Sequence, residues 1–282
     1  MTRSQSAFSD AGPDPSRKLR IRIVVTIALA MIAALFLFPP IPQSELYHQF
    51  ADQRALIGVP NFLNVASNFL FLFIGALGIR AVLQSGSESP AMAGGKGGRF
   101  IDRREKWPYL IFFVSVAMTA FGSAYYHFKP SDGTLLWDRI PMAIGFMALV
   151  SATIGERVGV NAGTRGLLPL TVLGAGSVIC WSVTQNRWHG DLRPYVLVQF
   201  GSVIVLLLLV GLFPARYTRG GDLIAALGIY AFAKMFEALD RPVFALGGMV
   251  SGHTLKHIAA AVSAYCMLRM IQLREPRFLD AT

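Results

Sequence analysis

The chain has 282 residues, 54% of them hydrophobic and only 15% charged, with a mean hydropathy of +0.50. A water-soluble domain carries roughly 25% charged residues, so a disordered protein, a coiled coil and a soluble enzyme are excluded. The net charge of +10 would suit a nucleic-acid binder, but the basic residues fall between apolar stretches, as in a multi-pass membrane protein.

In chain order, eight apolar segments are long enough, or nearly so, to cross the hydrocarbon layer as helices: 23–39, 62–83, 109–126, 140–154, 167–183, 196–213, 223–239 and 250–271. None shows the two-residue alternation of a membrane β-strand, so the expected fold is an all-α, polytopic membrane helix bundle. Arg17, Lys18, Arg20 and Arg22 precede the first segment as in a signal peptide. That run ends in Phe38-Pro39-Pro40 without a small-residue cleavage site, which reads as a retained helix. Residues 85–98, rich in Gly and Ser, read as a flexible loop. Cys180 and Cys266 lie in apolar runs and build neither a disulfide framework nor a cysteine metal site.

Alternating the compartments puts 18 Lys and Arg on the side of the N-terminus and six on the other, with Lys234 and Lys256 inside helices. The expected topology therefore has both termini in the cytoplasm, which in a bacterial host means the inner membrane.

Ionisable residues in membrane helices are expensive and need a reason. Of five histidines, His127 closes the third segment and His253 and His257 open the eighth, so all three reach one membrane face. The i, i+4 spacing of His253 and His257 stacks them on one helix face, about 6 Å apart along the axis. A third imidazole from another helix completes the three-histidine set that zinc uses catalytically. Thr254 stands where the HExxH glutamate would be, so a general base must come from elsewhere. Asp138, expected at the start of the fourth segment, is the candidate; its carboxylate suits orienting and deprotonating a water. Ser123, one helical turn before His127, suits an oxyanion or a substrate carbonyl; helix packing through Gly122-Ser123-Ala124 is its alternative.

Lys234, Glu237, Asp240 and Arg241 fall in one stretch. Lys234 with Glu237, and Glu237 with Arg241, are spaced to pair along a helix; a proton path or a contact near the metal is the functional alternative. Lys256 is expected to point away from the histidines and snorkel to lipid headgroups.

Asn64-Val65-Ala66-Ser67-Asn68 before an apolar helix, Ser123-x-x-x-His127, Asp138-x-x-Pro141-Met142 and His253-x-x-x-His257 together resemble the alkaline ceramidases. These belong to the CREST superfamily of seven-helix membrane zinc hydrolases, which also includes the adiponectin-type receptors. The resemblance covers residues 61–271. It implies a seven-helix core over 61–272, preceded by a tail, an extra transmembrane helix and a loop (1–60), and followed by a short cytoplasmic tail (273–282). It further implies zinc held by His127, His253 and His257, with Asp138 activating water and Ser123 assisting. The expected reaction is hydrolysis of the amide of ceramide, or a related N-acyl lipid, to a base and a free fatty acid.

Two departures stand out. Arg139 follows Asp138 where the family is usually acidic. Tyr47 and Phe50 occupy positions of the family's calcium-binding acids, leaving Asp52 and Asn61 as remnants of a Ca2+ site or as caps of the helix starting at Phe62. The rival readings are a receptor-like protein with structural zinc, suggested by the superfamily's receptors, and a metal or proton transporter, suggested by Lys234 and Glu237.

Overall fold

A computed structural model describes residues 15–86, 99–187 and 190–277. The tail 1–14, most of the Gly/Ser-rich loop (87–98) and the last five residues lie outside them. The described chain is all-α, with no β-sheet and only isolated bridges. Its helices are α1 (Pro15–Leu35), α2 (Phe62–Ala66), α3 (Phe69–Gln84), α4 (Lys106–Phe128), α5 (Asp132–Arg157), α6 (Val160–Arg187), α7 (Arg193–Val196), α8 (Ser202–Leu212), α9 (Gly220–Ala238), α10 (Asp240–Ala245) and α11 (Gly252–Leu273).

Five helical stretches are long and apolar enough to cross a membrane: Phe62–Gln84, Arg103–Phe128, Asp132–Arg157, Val160–Arg187 and Arg193–Leu212. The other three expected segments also fold as helices α1, α9 and α11. Charged and polar residues, among them Arg20 and Arg22 in α1, Lys234 and Glu237 in α9, and Lys256 in α11, keep these three from that standard.

The bundle is built by neighbours in sequence. Helices α3, α4, α5 and α6 pack in succession, and α9 packs on α11, which closes back onto α3. Helix α1 packs chiefly on the α7–α8 side, Arg17 also donates to the Val158 carbonyl just after α5, and most of its surface is exposed. Between α7 and α8 a π-turn, Leu197–Gly201, interrupts the regular helix. Such bulges re-aim side chains; here Gln199 turns inward, and its Nε2 donates to the Tyr230 hydroxyl on α9 at 2.6 Å.

Helix α5 begins at Asp132, two turns earlier than the hydropathy pattern indicates, because Ser131 and Thr134 form a capping box. Asp138 therefore lies inside the helix rather than at its start. Pro141 lacks an N–H, so the Trp137 carbonyl loses its helical partner four residues on. That carbonyl lies against Gly122 of α4: a Cβ added there would meet the Trp137 oxygen at 2.0 Å. Pro141 and Gly122 thus set how closely α4 and α5 approach, and they do so beside Ser123 and Asp138.

At the far end of the bundle Arg274 is buried among Phe100, Tyr109 and Tyr217, pairs with Glu156, and donates from Nε to the Arg99 carbonyl at 2.8 Å. Tyr217 in turn bonds to Glu105, which also pairs with Arg216 at 3.1 Å. Arg274, just after α11, and Arg216, between α8 and α9, thus tie both stretches of chain to the start of α4.

Gly122→Ala should destabilise the protein by about 1–3 kcal/mol, since the added methyl has backbone against it. Gly176→Ala, which meets nothing within 4 Å, should be neutral or slightly stabilising. Thermal unfolding of the two variants in detergent checks this.

Candidate metal centre

His127 arrives from the last turn of α4, and His253 and His257 from the first two turns of α11. Their ring centroids are 4.7, 4.8 and 5.0 Å apart, and one ligand nitrogen from each lies within 4.8 Å of the others. All three rings are buried. Neither nitrogen of His127, nor Nε2 of His257, has a hydrogen-bond partner. Buried polar atoms without partners cost roughly 1–3 kcal/mol each. One nitrogen from each of the three rings, gathered within 4.8 Å, fits a metal ion, which would take up one lone pair per ring.

The start of α11 places its two histidines. The Ser251 side chain caps the helix by accepting from Thr254 N at 3.2 Å. The first-turn N–H of His253 has no partner within the helix; Asp240 Oδ1 accepts it at 2.7 Å, and the other Asp240 oxygen accepts Ala51 N at 2.8 Å. One carboxylate therefore ties α10, α11 and the loop before α2 together. The loop delivers Phe50, whose ring lies 4.6 Å from His127 and 4.9 Å from His253 and covers the triad. Gly252 permits the approach, since a Cβ there would meet the Phe236 carbonyl at 2.3 Å.

Ser67 sets the tautomer of His257. It sits at the break between α2 and α3, with Oγ 2.8 Å from His257 Nδ1 and 3.1 Å from the Asn64 carbonyl. A hydroxyl has one proton to give. Given to the carbonyl, it leaves Oγ to accept Nδ1–H, so that Nε2 carries the free lone pair. This is the outer hydrogen bond that orients ligand histidines. Asn64 also accepts from Thr254 at 2.8 Å and so fixes α2 on α11. These contacts give the Asn64–Asn68 motif a physical role that its sequence did not reveal.

Ser123 comes from α4 and Asp138 from α5, and both side chains are buried. Both line a cavity of about 300 Å³ whose wall also includes His257. The rest of the wall is chiefly aromatic and aliphatic. The two candidate catalytic side chains and one member of the triad, His257, thus share one cavity.

Several expectations are corrected here. Lys256 does not snorkel: it is buried, with Nζ 2.9 Å from Glu237 Oε1 and 3.4 Å from His253 Nε2. Its i, i+3 spacing from His253 keeps it on the inward side of α11. Glu237 pairs with Lys234 as expected, but not with Arg241, because α9 ends at Ala238 and the helical register is lost. Glu237 instead accepts from Tyr47 at 2.8 Å. Burial pushes the Tyr47 phenol well up, which keeps it a donor.

Asn61 stands at the N-cap of α2 but in the left-handed region (φ 47°), and its side chain makes no cap bond. Its Nδ2 donates to the His127 carbonyl at 2.8 Å, so it holds the third histidine rather than the helix. Both Asp52 oxygens are taken by Arg54 at 2.7 Å, whose hydrogen bond holds that carboxyl below its usual range. Asp52 is thus neither a cap nor joined to Asn61. His48, passed over in the sequence, bridges Tyr126 at 3.0 Å and Asp132 at 3.1 Å and anchors the loop that carries Phe50.

The chain matches no family model and no curated protein.

His127→Ala or His257→Ala should each reduce bound metal from about one equivalent to near zero, measured by elemental analysis of purified protein. Ser67→Ala should retain the fold and weaken metal binding roughly tenfold or more, read by competition with a chelator.

Proposed function

We propose that the protein is a zinc-dependent hydrolase acting within the membrane on a lipid amide, of which ceramide or a related N-acyl lipid is the expected substrate. The observation that carries this is the meeting of Ser123, Asp138 and His257 on the wall of one largely apolar cavity. A purely structural metal site needs neither the cavity nor a carboxylate beside it. The eight helices would cross the membrane with both termini cytoplasmic, and the triad would lie near the opposite face.

His127, His253 and His257 would hold the zinc, a three-histidine set that leaves a position open for water. Bound there, zinc lowers the pKa of water towards 7 and polarises a carbonyl oxygen. The Asp138 carboxylate accepts the proton of the attacking water and returns it to the amine as the amide C–N bond breaks. The Ser123 hydroxyl, on the same cavity wall, is placed to bond the substrate's carbonyl oxygen. Phe50 covers the triad and limits the entry of bulk water. The apolar wall takes the acyl chain.

The resemblance to the alkaline ceramidases supports the reaction class through the same residues. His253→Ala and Asp138→Asn should both abolish fatty-acid release from a labelled N-acyl lipid, and Asp138→Asn should keep its zinc. Full turnover in Asp138→Asn would defeat the mechanism. Lipid binding without turnover in the zinc-loaded wild type would favour a receptor.

A further inference from the structure

The cavity wall carries five charged side chains among the described residues: Asp138 and Glu237 against Arg139, Lys234 and Lys256. Glu237 is shared by the two lysines, one on each oxygen. Asp138 forms no ion pair within 4.0 Å among the described residues. Arg139 has no ion-pair partner among the described residues, although it is only 5% exposed. Its NH2 donates to the neutral Gln43 Oε1 at 2.6 Å, and its NH1 is buried with no partner. The guanidinium is held flat among aromatic rings, 4.4 Å from the centroid of Trp181, 4.9 Å from Tyr195 and 5.4 Å from Tyr47.

A buried cation without a counter-charge is costly. Aromatic faces recover part of that cost, and they also fix the plane of the guanidinium. What remains is a donor whose NH1 is unpaired, on a residue that lines an apolar cavity. Planar donors of this kind match carboxylate, sulfonate or phosphate oxygens. Arg139 and Asp138 line the same cavity, so an anion held by Arg139 shares that space with the candidate base.

We infer that the cavity takes a lipid with an anionic head group, and that Arg139 anchors the anion. The inference rests on the lipid-amide reading above for the bond that is cut, but not for the binding itself. The substrate class is then N-acyl lipids bearing an acid close to the amide nitrogen, rather than the neutral diol head group of ceramide.

The test compares N-oleoylglycine with the neutral N-oleoylethanolamine on the full chain in detergent. Binding is measured with chelator present, so that nothing is turned over, and turnover is then measured with zinc restored. The acidic lipid should bind about tenfold tighter than the neutral one, the scale of one charged hydrogen bond. Arg139→Gln should erase that preference, and Arg139→Lys should restore part of it. Acetate and inorganic phosphate should not displace the lipid at matched concentration; displacement by either would make the ligand a free anion and overturn the lipid assignment. Equal binding of the two lipids by the wild type would overturn the inference even if the Arg139 variants fail to fold, as would a preference that survives in Arg139→Gln. Acid-selective binding with neither lipid hydrolysed would leave the inference standing and refute the hydrolase. Faster hydrolysis of the neutral lipid would do the reverse.

Discussion

Three imidazoles whose lone pairs are cut off from water set the terms for this end of the molecule. In a helix bundle of this hydropathy no solvent satisfies a buried ring nitrogen. The acceptor nitrogen of His127 and Nε2 of His257 must meet a cation or remain a standing cost of a few kcal/mol. The neighbouring contacts serve to keep the rings in that exposed-to-each-other state. Ser67 holds one tautomer, Asn61 holds the His127 backbone, Asp240 holds the His253 backbone, and Phe50 closes the top.

The same logic explains why so many polar side chains around the triad are shared. Asp240 serves two backbone N–H groups from different elements. Glu237 serves Lys234, Lys256 and Tyr47. Where every buried charge needs a partner, multiple use of each carboxylate lets a few acids hold α9, α10, α11 and the first loop together. Arg139 stands apart from this economy, with aromatic faces in place of a carboxylate.

Much of the architecture was legible because membrane helices announce themselves by length and hydropathy. The segments expected over 62–83, 109–126, 140–154 and 167–183 lie within helices long and apolar enough to cross a membrane, and that over 196–213 overruns its helix by one residue. Helix ends were less legible. Asp138 was expected at the start of its helix, but the capping box at Ser131 extends α5 through polar residues that hydropathy discounts. The histidine triad was legible because i, i+4 spacing fixes a shared face and the third histidine ends a helix at the same depth.

Composition and spacing therefore determined an all-α bundle with three histidines and an aspartate brought to one end. Side-chain partners across helices were decided only by the tertiary structure, because they depend on rotation of each helix about its axis and on loop paths that carry no periodicity. That is why Lys256 turned inward to Glu237, why Asn61 went to the His127 carbonyl rather than to its own helix, and why Arg139 is enclosed by Tyr47, Trp181 and Tyr195 from three distant stretches of chain.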